Sequence, residues 1–152
     1  MQVKVEDIKK LREATGAGIA DSRKALEEAE GDFKKAQELV KGWGIEKAAS
    51  KSDRAVGAGL VETYIHGGGK VGAMVEINCE TDFVARTDEF KNLAHEVAMQ
   101  ISAMDPKDVK ELLAQDYIRE SSKKIEDLVR EAIAKVGENI VVKRFMRFEL
   151  GS

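Results

Sequence analysis

The chain has 152 residues, 35% of them charged and 43% hydrophobic, and its 25 Lys and Arg against 28 Asp and Glu leave a net charge of −3. This is the balance of a folded chain with one domain or two small ones, and it excludes disordered and collagen-like classes. It argues against direct nucleic-acid binding, which needs a basic face, and no apolar run approaches the roughly 18 residues of a membrane span.

The first third reads as helical. Val5, Ile8, Leu11 and Ala14 recur at helical spacing behind Glu6 and Asp7, acids placed where a helix dipole favours them. Thr15-Gly16-Ala17-Gly18 breaks the pattern. A second helix sets Ile19, Ser22, Leu26 and Ala29 on one stripe and stops at Gly31. Asp32 caps a third, which carries Phe33, Ala36, Val40 and Trp43 and closes at Gly42 and Gly44. The expectation is a three-helix module over residues 1–45, near the lower limit for independent folding. Residues 46–57, with Lys47, Lys51, Asp53 and Arg54 among Ala and Ser, read as a linker, with partial helix as the alternative.

From residue 58 the period changes to two. Val61, Thr63 and Ile65 alternate with Glu62, Tyr64 and His66; after Gly67-Gly68-Gly69, Val71, Ala73, Val75 and Ile77 alternate with Gly72, Met74, Glu76 and Asn78. That predicts a hairpin. A loop over 79–86 follows, then a helix capped by Thr87 with Phe90, Leu93, Ala94, Val97 and Ile101 on its buried stripe. Asp105-Pro106 is expected to start a short helix through Val109, Leu112 and Leu113, with Pro at its first position. Ser122 is expected to cap a last helix, with Ile125, Leu128, Val129, Ala132, Ile133 and Val136 inward and Gly137 at its end. The tail from Ile140 to Phe148 reads as a strand. Residues 58–152 therefore form an α+β module, a small antiparallel sheet with helices on one face.

Motifs of enzyme chemistry fail on context. Gly67, Gly69 and Gly72 satisfy G-x-G-x-x-G, but the dinucleotide fingerprint must join a strand to a helix, and here a strand follows. Gly69-Lys70 lacks the Ser or Thr that a P-loop places on Mg²⁺. Cys79 stands alone, so no internal disulfide forms, and with no leader before the first helix a reducing cytoplasm is the expected setting. Glu76, Glu80 and Asp82 surround that thiol with negative charge, the reverse of what a nucleophile needs. His66, Cys79 and Asp82 lack metal-ligand spacing. In the tail, alternation sets Lys143 and Arg147 on one face and Met146 and Phe148 on the other, as in a half-buried strand. The expectation is a chain that is no enzyme and holds no cofactor or metal.

Three separated stretches carry a more specific signal. Leu11-Arg12-Glu13-Ala14-Thr15-Gly16-Ala17-Gly18-Ile19 with Lys24-Ala25-Leu26, then Glu76 to Arg86 (EINCETDFVAR), then Ala134 to Ile140 (AKVGENI), stand in order along most of the chain. Together they resemble the bacterial elongation factor Ts family, in a short-chain form. The resemblance implies an N-terminal bundle similar to ubiquitin-associated domains, and a guanine-nucleotide exchange factor for the GTPase elongation factor Tu. It implies that Thr81, Asp82, Phe83 and Val84 form the loop that enters near the partner's Mg²⁺ site, with Phe83 as the intruding aromatic. It further implies that Arg12, Thr15, Gly16, Ala17, Gly18 and Ile19 form a first docking patch. Longer members carry a second core copy or a helical excursion before the Gly137-Glu138-Asn139 stretch; here only residues 106–125 fill that interval. A single core copy leaves a sheet edge to cover, which a homodimer would do. The alternative is a plain helical module binding another protein, with no exchange activity.

Overall fold

The computed structural model describes residues 2–152. Three helices come first: α1 (Val5–Thr15), α2 (Ile19–Glu28) and α3 (Phe33–Lys51). They close over a small core of Leu11, Ala25, Leu26, Ala29 and Ala36, against which Val3, Ile8, Leu39, Val40 and Trp43 pack. Gly16 ends α1 in the left-handed conformation, and Asp32 accepts the Lys35 N–H at 3.0 Å to cap α3. Two expectations need correction. Val5, Ala14 and Ile19 lie outside this core and are exposed, because so small a bundle buries only the centre of each helix.

α3 also does not close at Gly42 and Gly44 but runs on to Lys51, through the first half of the expected linker. Mid-helix glycine costs about 1 kcal/mol relative to alanine, and packing of α3 against α2 and α7 outweighs it. A 2.6 Å ion pair from Lys47 to Asp21 and the Lys24 ammonium over the Trp43 ring tie the helix to α2. Ala48, nearer its end, packs against the second core.

That second core lies under a sheet of three antiparallel strands in the order β1-β2-β5: β1 (Ala58–His66), β2 (Val71–Cys79) and β5 (Ile140–Glu149). The turn between β1 and β2 uses three consecutive glycines at positive φ, a geometry other residues resist. At Gly59 a Cβ would stand 2.2 Å from the Ile77 carbonyl oxygen, so only glycine admits the pairing of β1 with β2 there. Between β2 and β5 come the one-turn helix α4 (Asp82–Ala85), then α5 (Asp88–Met104), α6 (Val109–Ala114), the ribbon β3 (Asp116–Tyr117) and β4 (Glu120–Lys124), and α7 (Ile125–Val136). Helices α5 and α7 cover one face of the sheet, where Val75, Ile77, Phe90, Val97, Ile101, Ile125 and Val142 are buried together.

Three elements differ from the sequence reading. α6 starts at Val109, capped by Asp108, whose carboxylate accepts the Glu111 N–H at 2.8 Å; Asp105 instead ends α5 in the left-handed conformation. Ser122 caps nothing, because residues 116–124 form the β3–β4 ribbon and α7 starts at Ile125. The buried Gln100 of α5 holds that ribbon: its amide donates to the Asp116 carbonyl and its oxygen accepts the Ile118 N–H, both at 3.0 Å.

The tail strand departs most. The register slips between Glu76 and Ile77, where Glu76 faces Arg144 and Ile77 faces Val142, so Lys143 is the extra residue of a bulge. The bulge reverses the parity. Val142, Phe145 and Arg147 turn toward the helices, and Met146 and Phe148 turn to the open face, still exposed. Arg147 reaches the Ser102 carbonyl at 3.1 Å, with its stem along the helices.

On α7, burial holds the Glu131 carboxyl above its ordinary range against the pull of Lys123, 3.1 Å away. A carboxyl raised in the folded state stabilises it fully only below the unfolded value, and the contribution is lost as pH rises through the folded value. Glu131→Gln is therefore expected to raise the melting temperature at pH 7, and the gain should shrink toward pH 4 as the unsubstituted side chain takes up its own proton. Thermal melts at the two pH values measure this.

Candidate functional site

The loop after β2 is built to present one aromatic. Thr81 caps α4, its hydroxyl oxygen accepting the Val84 N–H at 3.3 Å. α4 has four residues, and its side chains split. Val84 is 4% exposed and Ala85 is buried, whereas Phe83 is 80% exposed. Asp82 is exposed as well. Of the four expected loop residues, Val84 faces the core and anchors the turn, leaving Thr81, Asp82 and Phe83 at the surface. Thr87, capping α5, returns a hydroxyl hydrogen bond to the Val84 carbonyl at 2.7 Å and closes the far side of the turn.

The Gly137-Glu138-Asn139 stretch meets this loop directly. One carboxylate, Glu138, accepts the Thr81 N–H at 3.0 Å and the Thr81 hydroxyl at 2.8 Å. In the opposite sense, Glu80 accepts the Asn139 N–H at 2.7 Å. The buried Asn139 amide then donates to the carbonyls of Arg54 at 3.0 Å and Ser52 at 3.4 Å, just beyond α3. Two motifs that lie 57 residues apart in sequence thus form one clasp, which also grips the connection to the N-terminal bundle. Both stretches stand out in the sequence, but only the fold links them.

The other expected patch is also at the surface. Arg12, Gly16, Gly18 and Ile19 are exposed, and Thr15 and Ala17 are half-buried. The Thr15 hydroxyl turns back to donate to the Leu11 carbonyl at 2.6 Å and accepts the Ala17 N–H, which stiffens the turn. Thr15 to Gly18 form one lip of an open cleft of about 670 Å³, whose opposite wall comes from α5, α7 and the ribbon. Some of its charged groups are already paired: Glu96 accepts the Tyr117 hydroxyl at 2.6 Å and pairs with Arg119 at 2.9 Å, and Lys123 pairs with Glu131. Phe83 lies outside this cleft.

Nucleophilic chemistry finds no support at Cys79. The thiol is fully buried and donates to the Thr81 carbonyl at 3.2 Å. Burial raises its pKa, and the charges of Glu138 and Asp82 add to the effect, so it stays protonated and unreactive. Of the three acids expected to act on it, Asp82 does so, Glu138 has the larger effect, and desolvation is the largest cause. His66 stacks beside Tyr64, and His95 meets the same ring edge-on from α5. Among the described residues no group of His, Cys, Asp and Glu is arranged to hold a metal ion, and no helix is long and apolar enough to cross a membrane.

The elongation factor TS family model matches residues 80–152, the part that runs from the Thr81–Phe83 turn through β5. Elongation factor Ts of Thermoanaerobacter sp. (strain X514) is 42% identical over 194 aligned residues, covering 98% of this chain and 95% of that protein. Elongation factor Ts of Coprothermobacter proteolyticus is 41% identical over 196, covering 99% and 100%. Elongation factor Ts of Herpetosiphon aurantiacus is 40% identical over 197, covering both chains in full. These alignments are longer than the 152 residues available, so the relatives carry internal residues with no counterpart here. Identity of this order along nearly the whole chain, on a fold that joins a three-helix bundle to the clasped Thr-Asp-Phe-Val turn, places the chain in the elongation factor Ts family of translation elongation factors.

Proposed function

We propose that the chain is a guanine-nucleotide exchange factor for elongation factor Tu, and that it makes and breaks no covalent bond itself. The observation that carries this is Phe83, a large apolar side chain 80% exposed on a turn that the buried Val84 and the hydrogen-bonded Thr81 hold in place. The backbone that carries this aromatic is already fixed by the turn, so binding need not order it, and the residue is preorganised for a pocket on another protein. GDP on such a GTPase is held by a phosphate-binding loop and by Mg²⁺, which demands near-ideal octahedral geometry. Displacing the elements around that ion by about an ångström weakens nucleotide binding steeply. Because coupling between sites is reciprocal, a factor that prefers the nucleotide-free GTPase must favour loss of GDP.

The decisive experiment mixes the chain with elongation factor Tu carrying a fluorescent GDP and follows release by stopped flow. Acceleration that saturates with factor concentration supports the reading; an unchanged rate despite binding leaves only a helical interaction module. Within this reading the exposed turn of residues 15–19 with Arg12 makes the first contact on the GTPase. Arg12→Ala is expected to weaken binding several-fold by titration calorimetry and to leave the release rate at saturation unchanged. Equal affinity would remove Arg12 from the patch.

The chain is also proposed to act as a homodimer, joined through the open face of its sheet. Val61, Ile65, Met74, Met146, Phe148 and Leu150 are all exposed there. The register sets Met74 beside Met146 and Gly72 beside Phe148, so the side chains form one continuous patch. Patches of this kind on a soluble chain mark interaction sites. A second copy fits because a two-fold axis lays the patch on itself, and two twisted sheets stack face to face about 10 Å apart. Its single ion pair, Arg144 with Glu76 at 2.8 Å, is neutral by itself. Phe148 lies near the Val71 end of β2 and Phe83 beyond the Cys79 end, so a dimer leaves both loops free.

A further inference from the structure

We infer that Glu138 is a positioning residue for Phe83, an inference that rests on the exchange reading given above. α4 is a single turn, too short to hold itself by helix propensity. What fixes the direction of Phe83 is therefore the cap at Thr81 and the anchor at Val84. The Thr81 hydroxyl has one proton and must both donate and accept. Glu138 takes that proton at 2.8 Å, which turns the oxygen's lone pairs toward the Val84 N–H at 3.3 Å. The second carboxylate oxygen takes the Thr81 N–H at 3.0 Å, so the residue is held at two points by one charged group. Charge-assisted bonds of this kind are about twice as strong as neutral ones. Gly137, at φ 76°, reverses the chain after α7 and delivers Glu138 to the loop.

The two bonds from Glu138 to Thr81 lie outside the core. Glu138 is half-buried, Thr81 is exposed, and the cluster of buried side chains is complete without either. Those two bonds act on the loop. Asn139, held at its own N–H by Glu80, extends the clasp to the carbonyls after α3, so the connection to the docking bundle and the aromatic share one frame. Loosening the frame lets the ring sample directions that miss its pocket, and misplacement by an ångström is costly in rate.

The test compares release of fluorescent GDP from elongation factor Tu by full-length variants. Glu138→Ala is expected to lower the maximal release rate about tenfold, with the half-saturating concentration within about twofold of the starting chain, since the docking patch is untouched. Glu138→Gln, whose single amide oxygen can accept the Thr81 N–H but not the hydroxyl proton as well, is expected to recover only part of that loss. Adding Glu138→Ala to Phe83→Ala is expected to cost nothing further, because no ring remains to be aimed. A wild-type rate for Glu138→Ala beside a slow Phe83→Ala overturns the inference, as does an equal tenfold loss on the Phe83→Ala background. Thr81→Val, which keeps the shape and removes the hydroxyl, carries the same expectation if Glu138→Ala melts. Should Phe83→Ala itself release GDP at full rate, the exchange reading fails first and the positioning role falls with it.

Discussion

Replacing Phe83 with alanine is expected to slow GDP release from elongation factor Tu about thirtyfold while leaving the fold intact. The size follows from the usual worth of a central aromatic at an interface, about 2 kcal/mol or more, converted at about 1.4 kcal/mol per tenfold. Truncation costs little stability because the ring is 80% exposed and removes no buried contact. The melting temperature and circular dichroism should therefore match those of the unsubstituted chain. Val84, one residue on, supplies the contrast: it is buried against the core, so Val84→Ala leaves a cavity and lowers the melting temperature. A pair of neighbours with opposite profiles, one costing rate without stability and the other costing stability, separates contact from anchorage. A Phe83→Ala chain that releases GDP as fast as before would reject the aromatic as the intruding group.

That split between Phe83 and Val84 also marks where the sequence stops being informative. Both are bulky apolar residues in a loop, and the expectation treated them as a unit. A one-turn helix puts adjacent side chains about 100° apart, and only the position of the core decides which is inside. The same limit applies to β5. Alternation there was legible, but a single extra residue at Lys143 exchanged the faces, and a bulge leaves no mark in composition. Long, strongly periodic elements were readable: α5 and the β1–β2 hairpin lie where spacing puts them, and α7 keeps its expected inward stripe and its end at Gly137. Caps with a side-chain mechanism were readable too, as at Asp32 and Thr87. What failed depends on tertiary support. α3 crosses two glycines because α7 is there to receive it, and the β3–β4 ribbon forms because Gln100 satisfies its backbone. The clasp belongs to this class, since Glu80, Thr81, Glu138 and Asn139 meet only once the sheet has placed β2 beside β5.

Phe148→Asp is expected to convert a dimer into monomers without unfolding either. Phe148 points away from the helices and is 69% exposed in the single chain, so a carboxylate there stays in water and costs the monomer almost nothing. In a face-to-face dimer the same position lies within the patch of Met74, Ile65, Met146 and Leu150. An aspartate would then be desolvated beside apolar side chains, and Arg144 on this face is already paired with Glu76. Burying an unpaired charge costs several kcal/mol, so the dissociation constant should rise by about a hundredfold or more, and two-fold symmetry applies the penalty twice. Sedimentation velocity at micromolar concentration reads the outcome, with the unsubstituted chain expected near twice the mass of the variant. Far-ultraviolet circular dichroism should be the same for both. Phe83 lies beyond the other end of β2, so the monomeric variant should still release GDP in proportion to its concentration of chains. Two chains of equal, monomeric mass would show that the open face of the sheet serves something other than a second copy.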